Sequence, residues 1–487
     1  MTINNILLFL YFASLTGLII FGSHRYVLIY LYKKYKRNTP ETKPLSDPFP
    51  VVTVQLPIYN ELNVVSRLIE SVTNFDYPKD KLEIQVLDDS TDETQKIAEE
   101  IVNKYKNENF NITYIRRINR NGFKAGALQN GLKTSKGKFV AIFDADFIPK
   151  PDFLKKILPY FSNDNIAMVQ ARWGHTNRKY SLLTKIQAII LDGHFLIEQT
   201  ARNRSGRFFN FNGTAGIWLK KAIEVAGGWQ GDTLTEDMDL SYRAQIKGYQ
   251  FIFVPEVVAP AELPIDINAF KMQQGRWAKG TIQVAKKLIS EILKSKTSFK
   301  VKFEAMIHLT SNLSYPLLTI VSLLLIPAIL VRLNTPHTKI FLIDLPIFIL
   351  GTLSIFYFYY TSQKELGFSS WDSFKYIPFL MSAGIGLAIN NAKFVLEGIA
   401  GHSSEFVRTP KYGISQGQKQ KDPNNKNYKS RKTIVFYAEI IMATYFTFVL
   451  FLTIKSHLYY LIPLILLFQC GFMYFAISSF AQLFKQR

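Results

Sequence analysis

Residues 139–146 read F-V-A-I-F-D-A-D, a short apolar run that ends in two aspartates one residue apart. A second run, residues 83–89, reads E-I-Q-V-L-D-D and ends in two adjacent aspartates. Short apolar runs closed by polar residues are typical of buried strands, and the stretches between these runs have helical periodicity. Alternating strands and helices predict a parallel sheet covered by helices, which is an α/β fold.

The same pattern extends on both sides of these runs. We predict buried strands at Val51–Leu56, Glu83–Leu87, Phe139–Phe143 and Ile166–Gln170. We predict helices near Glu61–Thr73, Asp92–Tyr105, Lys124–Thr134 and Pro151–Phe161.

The two acidic pairs, Asp88 with Asp89 and Asp144 with Asp146, follow strands of this sheet. Ligands of open α/β sheets bind at the carboxyl ends of the strands. One pair alone could simply cap the next helix, as we expect of Asp92, but two pairs at one sheet edge favour a binding site. Their hard oxygen atoms suit Mg²⁺ or Mn²⁺, which usually complete their coordination with water and substrate phosphates.

Long apolar runs flank this mixed block, which extends from about residue 50 to residue 300. About 20 mostly apolar residues are needed to cross a bilayer. The candidate spans are Ile6–Leu31, Leu309–Val331, Ile340–Tyr360, Phe374–Ile399, Thr433–Ile454 and Leu458–Phe484. The first lacks a basic start, so we interpret it as an anchor rather than a cleavable signal peptide.

The formal net charge of +21 is concentrated beside the apolar runs, as at Lys33, Lys34, Lys36 and Arg37. The positive-inside rule explains this placement without nucleic acid, which we exclude as a partner. It predicts an N-terminus outside the membrane and the mixed block in the cytoplasm.

The segment Phe374–Ile399 contains polar residues that are costly in lipid, and a strongly basic loop follows it. A crossing there would put that loop outside. We therefore assign the segment to the interface or to a re-entrant position and expect about five crossings.

Three further motifs accompany the acidic pairs, one between the two pairs and two after them. Lys124 lies in F-K-A-G-A-L-Q-N-G-L, Glu236 and Asp237 lie in T-E-D, and residues 273–277 read Q-Q-G-R-W, which fits Q-x-x-R-W. Together these motifs resemble the family 2 glycosyltransferases, above all the processive branch with cellulose, hyaluronan and mannan synthases. The resemblance implies a GT-A fold and an inverting transfer from a UDP- or GDP-hexose onto a β-linked polysaccharide, coupled to its export.

The resemblance also implies roles for individual residues. Asp237 would be the general base, with Glu236 as the alternative; Asp146 would hold Mg²⁺ or Mn²⁺, and Trp277 would contact the acceptor. The residues that would bind the donor are Asp88, Asp89, Lys124, Asp144, Gln273 and Arg276. Structural alternatives are a helix cap at Asp237, a solvated lysine at Lys124, and lipid-facing side chains at Arg276 and Trp277.

A later stretch, Phe406–Lys411, is similar to the F-x-V-T-x-K gating segment of cellulose synthases, with Arg408 at the valine position. By that similarity Thr409 and Lys411 would touch the diphosphate; the alternative is a basic loop that binds anionic lipid. Cellulose synthases that respond to cyclic diguanylate carry a further domain after the last span. The sequence ends at Arg487, so we expect no built-in response.

The predicted organisation is a multi-pass protein of the plasma or inner membrane. Its segments are an anchor (1–38), a GT-A domain (48–262), amphipathic interface helices (263–305), two spans (306–362), an interfacial segment with the gating-like loop (363–432) and two final spans (433–487). Transfer of a single sugar to a membrane lipid is the alternative activity. A non-enzymatic transporter would explain the spans but not the ordered acidic motifs.

Overall fold

The computed structural model of the chain describes residues 2–333, 341–402, 408–414 and 434–485. It begins with a long helix, α1 (Ile3–Tyr35), and continues with an α/β domain and a set of C-terminal helices. The α/β domain is built on one seven-stranded sheet.

The strands of this sheet lie in the order β3-β2-β1-β4-β6-β5-β7. Their bounds are β1 Val52–Ile58, β2 Leu82–Asp88, β3 Ile112–Arg116, β4 Phe139–Ile142, β5 Ile166–His175, β6 Gly216–Leu219 and β7 Gln250–Ala261. Every residue of β2 and β4 is buried, as expected of strands that are covered on both faces. Strand β1 lies between β2 and β4 and is parallel to both.

Helices connect these strands and cover both faces of the sheet. Their bounds are α2 Val65–Thr73, α3 Thr94–Asn107, α4 Phe123–Thr134, α5 Phe153–Ile157, α6 Leu182–Asp192, α7 Thr200–Arg204, α8 Lys220–Val225 and α9 Glu236–Ile246. A π-helix, Gly193–Gln199, joins α6 to α7.

The predicted strands are parallel, but the sheet also contains an antiparallel strand, β6, that was not predicted. β6 is antiparallel to both β4 and β5, whereas the other pairs are parallel. The predicted helix Pro151–Phe161 is wrong in its extent, because α5 gives way to a 3-10 turn at Leu158–Tyr160 that contains Pro159. Proline lacks the N–H that an α-helix needs in its interior.

The remaining helices are α10 Ile267–Lys294, α11 Phe299–Thr310, α12 Ser314–Leu333, α13 Phe341–Glu365, α14 Ser370–Gly386, α15 Ala388–Ala400, α16 Ile434–Lys455 and α17 Ile462–Lys485. Over the described residues, four stretches are long and apolar enough to cross a membrane: Ile3–Tyr35, Phe299–Arg332, Ile434–Lys455 and Tyr459–Gln482. These helices support a multi-pass membrane protein.

The segment Phe374–Ile399, which we predicted to be interfacial or re-entrant, forms two helices, α14 and α15, that are bent by 45°. The bent pair fits either one broken span, which raises the number of candidate spans to five, or a re-entrant segment. The predicted span Ile340–Tyr360 corresponds to α13, although Ile340 lies outside the described residues. The expected total of about five crossings therefore stays a prediction.

A buried ion pair ties α10 to the final helices. Lys271 of α10 donates to both carboxylate oxygens of Glu439 in α16, at 2.9 and 3.2 Å, and to the hydroxyl of Ser479 in α17 at 3.0 Å. Asn390 of α15 donates to the carbonyl of Lys271 at 2.9 Å. Side chains from three apolar helices thus hold the helix that carries the Q-x-x-R-W motif.

This pair gives a stability prediction. Glu439→Leu leaves the Lys271 ammonium buried without its carboxylate, which costs about 3 kcal/mol or more in the free energy of unfolding. We expect a lower melting temperature for the detergent-solubilised protein. The double variant Lys271→Met/Glu439→Leu removes both charges and should recover most of the loss. A double variant no more stable than Glu439→Leu would contradict this account.

Candidate active site

A cavity of about 200 Å³ opens at the carboxyl ends of β1 and β4. It collects side chains from segments that are far apart in the sequence. Of the residues predicted for the site, those that line it are Asp89, Lys124, Asp144, Asp146, Glu236, Asp237, Gln273, Arg276, Trp277, Thr409 and Lys411. Asp88 is the predicted residue that does not line it.

Lys124 is one of the charged residues that line the cavity. Its ammonium donates to Asp144 and, at 2.9 Å, to the carbonyl of Gly213. Burial works against the charge of Lys124, but the carboxylates of Asp144 and Glu236 outweigh it and raise the pKa of Lys124 above its ordinary value. The first turn of α4 needs Gly126, because a Cβ there would lie 2.0 Å from the carbonyl oxygen of Asn121.

Glu236 and Asp237 are the first residues of α9, and both line the cavity together with Lys124. One Asp237 oxygen accepts the Met238 backbone N–H at 2.8 Å, and the other lies beside Gly213. Burial, and then the adjacent Glu236 charge, raise the pKa of Asp237 to about 7. Burial also raises the pKa of Glu236. Asp237 therefore contacts its helix terminus and still presents an oxygen to the cavity.

Asp146 binds a residue from the loop that follows α15. The Lys411 ammonium lies 2.6 Å from an Asp146 oxygen and donates to the carbonyl of Glu262 at 2.9 Å. The Glu262 carboxylate accepts the backbone N–H groups of residues 412–414 at 2.8–3.2 Å. Burial raises the pKa of Glu262. The loop 408–414 is thus seated on the cavity rim through backbone as well as side-chain contacts.

Arg408 provides a second charged contact of this loop, because its guanidinium lies 2.6 Å from a Glu61 oxygen. Burial raises the pKa of Glu61 to about 7, although the Arg408 charge opposes the shift. Thr409 also lines the cavity. Phe406 and Val407, the start of the predicted gating segment, lie outside the described residues.

The two aspartates after β2 have different surroundings. Asp88 is buried and accepts from the Ser90 backbone N–H at 2.7 Å and the Tyr114 hydroxyl at 2.8 Å. Asp89 lines the cavity and binds the Arg117 guanidinium through both oxygens. Asp88 therefore shapes the end of the strand, and only Asp89 of the pair lines the cavity.

Helix α10 closes the cavity with Gln273, Arg276 and Trp277. These residues share one helical face because they are three and four positions apart. Burial lowers the pKa of Arg276 from its ordinary value, but a guanidinium remains charged at neutral pH. All three side chains face the cavity, so the lipid-facing alternatives for Arg276 and Trp277 do not describe this structure.

Several lining residues were not predicted from the sequence. They are Tyr59, Glu61, Arg120, Trp173, His175, Asn212 and Glu262. The first two follow the end of β1, so the strand-end rule that identified the aspartates could have identified them as well. Arg120 lies over the Tyr59 ring at 3.2 Å from its centroid. Glu262 follows β7, a strand that the sequence analysis missed.

The carboxylates fit a divalent cation that is shared with a diphosphate. Asp144 and Asp146 offer hard oxygen atoms at the end of β4. No group of three or more His, Cys, Asp or Glu side chains within the described ranges could hold a metal by itself. Mg²⁺ commonly binds through one or two carboxylates together with substrate phosphates, which matches this sparse donor set.

Comparison with known proteins identifies the domain. Residues 50–280 match the family model described as glycosyltransferase like family 2. The chain is 43% identical over 289 residues to glucomannan 4-beta-mannosyltransferase 2 of Arabidopsis thaliana. This alignment covers 57% of this chain and 54% of that protein. It is 41% identical over 296 residues to glucomannan 4-beta-mannosyltransferase 1 of Oryza sativa subsp. japonica. This second alignment covers 57% of this chain and 56% of that protein.

A solved structure has the same fold. It is the mannosyltransferase PcManGT from Pyrobaculum calidifontis in complex with GDP-Man and Mn²⁺, with a TM-score of 0.52 and 20% identity over 72% of this chain and 98% of that one. The predicted GT-A architecture is confirmed. The match spans little more than half the length of the two plant relatives. Residues 50–280 of this chain are therefore similar to the family 2 glycosyltransferases.

Proposed function

We propose that the chain is an inverting, membrane-embedded hexosyltransferase that elongates a β-linked polysaccharide from a nucleotide-diphosphate sugar. The observation that carries this proposal is the meeting of Asp237, Lys124, Asp144 and Arg276 in one cavity. The cavity thus combines the Asp237 carboxylate, whose pKa is raised, with the cationic side chains of Lys124 and Arg276, which suit a diphosphate. The names of the plant relatives favour mannose as the transferred sugar.

Asp237 is the general base of the proposed reaction, with Glu236 as the alternative. The acceptor hydroxyl gives its proton to the Asp237 carboxylate as its oxygen attacks the anomeric carbon. The bond between that carbon and the diphosphate oxygen breaks, and its electron pair leaves with the nucleoside diphosphate. A single displacement inverts the anomeric configuration, so an α-linked donor gives a β-linked product.

Arg276 and Lys411 bind the leaving diphosphate, and Lys124 helps to neutralise it from the cavity wall. A divalent cation held by Asp144 and Asp146 supplies further positive charge to this group when it is bound. Gln273 and Thr409 complete the polar surroundings of the phosphates. Trp277 presents a flat ring that suits the apolar face of the acceptor sugar.

We place this reaction on the cytoplasmic side of the membrane. The basic residues after α1, Lys33, Lys34, Lys36 and Arg37, favour a cytoplasmic start for residues 48–262, the proposed catalytic domain. Residues 263–305 join it to the membrane helices through Lys271, and the later helices would form the path of the growing chain.

The donor and product can be tested together. We expect purified membranes that contain the protein to release nucleotide from GDP-mannose, among a panel of UDP- and GDP-sugars supplied with Mg²⁺ or Mn²⁺. Gel sizing of the radiolabelled product should reveal a long chain that a β-mannanase degrades. An organic-extractable glycolipid would instead support single-sugar transfer, and nucleotide release from no donor would contradict the proposal.

Substitution of the base should remove the chemical step. We expect Asp237→Asn to lower kcat by about 10²–10⁴-fold, because the amide cannot accept the acceptor proton. The KM for the donor should change little, since Asp237 is proposed to act on the acceptor. The matched control is Asp232→Asn, an exposed carboxylate that pairs with Lys287 outside the cavity. Equal losses in the two variants would argue against Asp237 as the base.

The raised pKa of Asp237 predicts an unusual pH dependence. A base works unprotonated, so kcat/KM should fall as the pH drops below about 7 rather than below ~4, the range of an ordinary aspartate. Glu236→Gln removes a neighbouring negative charge that raises the pKa of Asp237, so it should move this acid limb to lower pH. Complete loss of activity in Glu236→Gln would assign the base to Glu236.

A further inference from the structure

The π-helix Gly193–Gln199 lies behind the cavity and brings His194, Glu198 and Gln199 together. In an α-helix, residues five apart point about 140° away from each other, because each residue turns by about 100°. Here the Gln199 amide nitrogen lies 3.3 Å from Nε2 of His194. Insertions of this kind within helices occur frequently at functional sites.

The hydrogen bonds of this cluster fix the orientation of each polar group. The Gln199 nitrogen donates to the backbone carbonyl of Asn210 at 3.2 Å, which identifies it as the amide N–H₂. The Asn212 atom that lies 2.7 Å from this nitrogen must therefore be the oxygen, so the Asn212 N–H₂ faces Nε2 of His194 at 2.9 Å. Since Asn212 donates, Nε2 accepts.

The other ring nitrogen of His194 has a complementary partner. Nδ1 lies 3.0 Å from an oxygen of Glu198, and the same oxygen accepts from Arg202 at 3.2 Å. A carboxylate beside a guanidinium is an acceptor, so Nδ1 carries the proton and the imidazole is neutral. Arg202 in turn binds Glu304 at 3.0 Å, which lies 3.0 Å from His24 of α1.

Asn212 connects this cluster to the reacting groups. It lines the cavity and precedes Gly213, whose carbonyl accepts from Lys124 at 2.9 Å. Gly213 has a φ of +81°, and a Cβ there would lie 3.0 Å from an Asp237 oxygen. The loop at residues 212–213 therefore sets the positions of Lys124 and Asp237 relative to each other.

We infer that His194 is a positioning residue for the transfer reaction: as a neutral Nε2 acceptor it fixes Asn212, and through Asn212 the loop that separates Lys124 from Asp237. This inference rests on the proposed function, because it assigns to His194 a role in that reaction. His194 itself does not line the cavity and contacts neither Lys124 nor Asp237 among the described contacts. Its effect is on geometry rather than on proton transfer.

The test compares two replacements in the full-length protein in membranes. His194→Leu fills the space but removes the acceptor, whereas His194→Gln can offer its amide oxygen to Asn212. We expect His194→Leu to lower kcat between about tenfold and a hundredfold, as small misplacements of reacting groups do. The KM for the donor should change less than about threefold, and His194→Gln should recover most of kcat. The control His402→Leu, at an exposed histidine, should behave as wild type.

A purely structural role gives a different pattern. Leu and Gln variants would then lose activity equally, in proportion to the amount of folded protein measured by size-exclusion chromatography, and that result would overturn the inference. Unchanged kcat in His194→Leu would overturn it as well. If wild-type protein transfers sugar while His194→Leu is normal, only this inference fails. If wild-type protein transfers sugar from no donor, the proposed function fails and this inference fails with it.

Discussion

The cavity depends on the pairing of aspartates with cationic side chains at the carboxyl edge of the sheet. Asp144, Asp146 and Asp89 come from two strand ends and would repel one another in a half-buried cavity. Each is bound by a cation from another segment: Lys124 for Asp144, Lys411 for Asp146 and Arg117 for Asp89. The acids and bases therefore form one alternating network, and the position of each segment depends on its partner in the next.

The membrane helices take part in this network through α10. One face of that helix carries Gln273, Arg276 and Trp277 into the cavity, and Lys271, two residues before Gln273, contacts Glu439 and Ser479 of the last two helices. Lys279, two residues after Trp277, binds Glu397 of α15 at 3.0 Å. The cavity-lining side chains of α10 thus lie between two ion pairs that join this helix to α16 and α15.

The strands that the sequence predicted are those whose signal is local. β4 is a continuous apolar run, β1 and β2 are mostly apolar with single polar residues between, and the aspartates after β2 and β4 located the edge of the sheet at which the cavity lies. β6 has only four residues, Gly216–Leu219, and β7 contains Pro255 and Pro260, which argue against a strand. The local pattern around Lys411 placed this residue at the site, but its contacts with Glu262 and Asp146 join segments more than a hundred residues apart, so no local pattern indicates these partners.

The loop 408–414 has a consequence for how an anionic ligand reaches the cavity. Its two cations, Arg408 and Lys411, pair with Glu61 and Asp146, so under the proposed function an incoming diphosphate would compete with these carboxylates for the same charges. Under the proposed function, phosphate oxygens would exchange with Glu61 and Asp146 at these two cations, and the released Asp146 carboxylate would be free to hold a divalent cation. A sugar without phosphate would carry no negative charge with which to compete for Arg408 and Lys411.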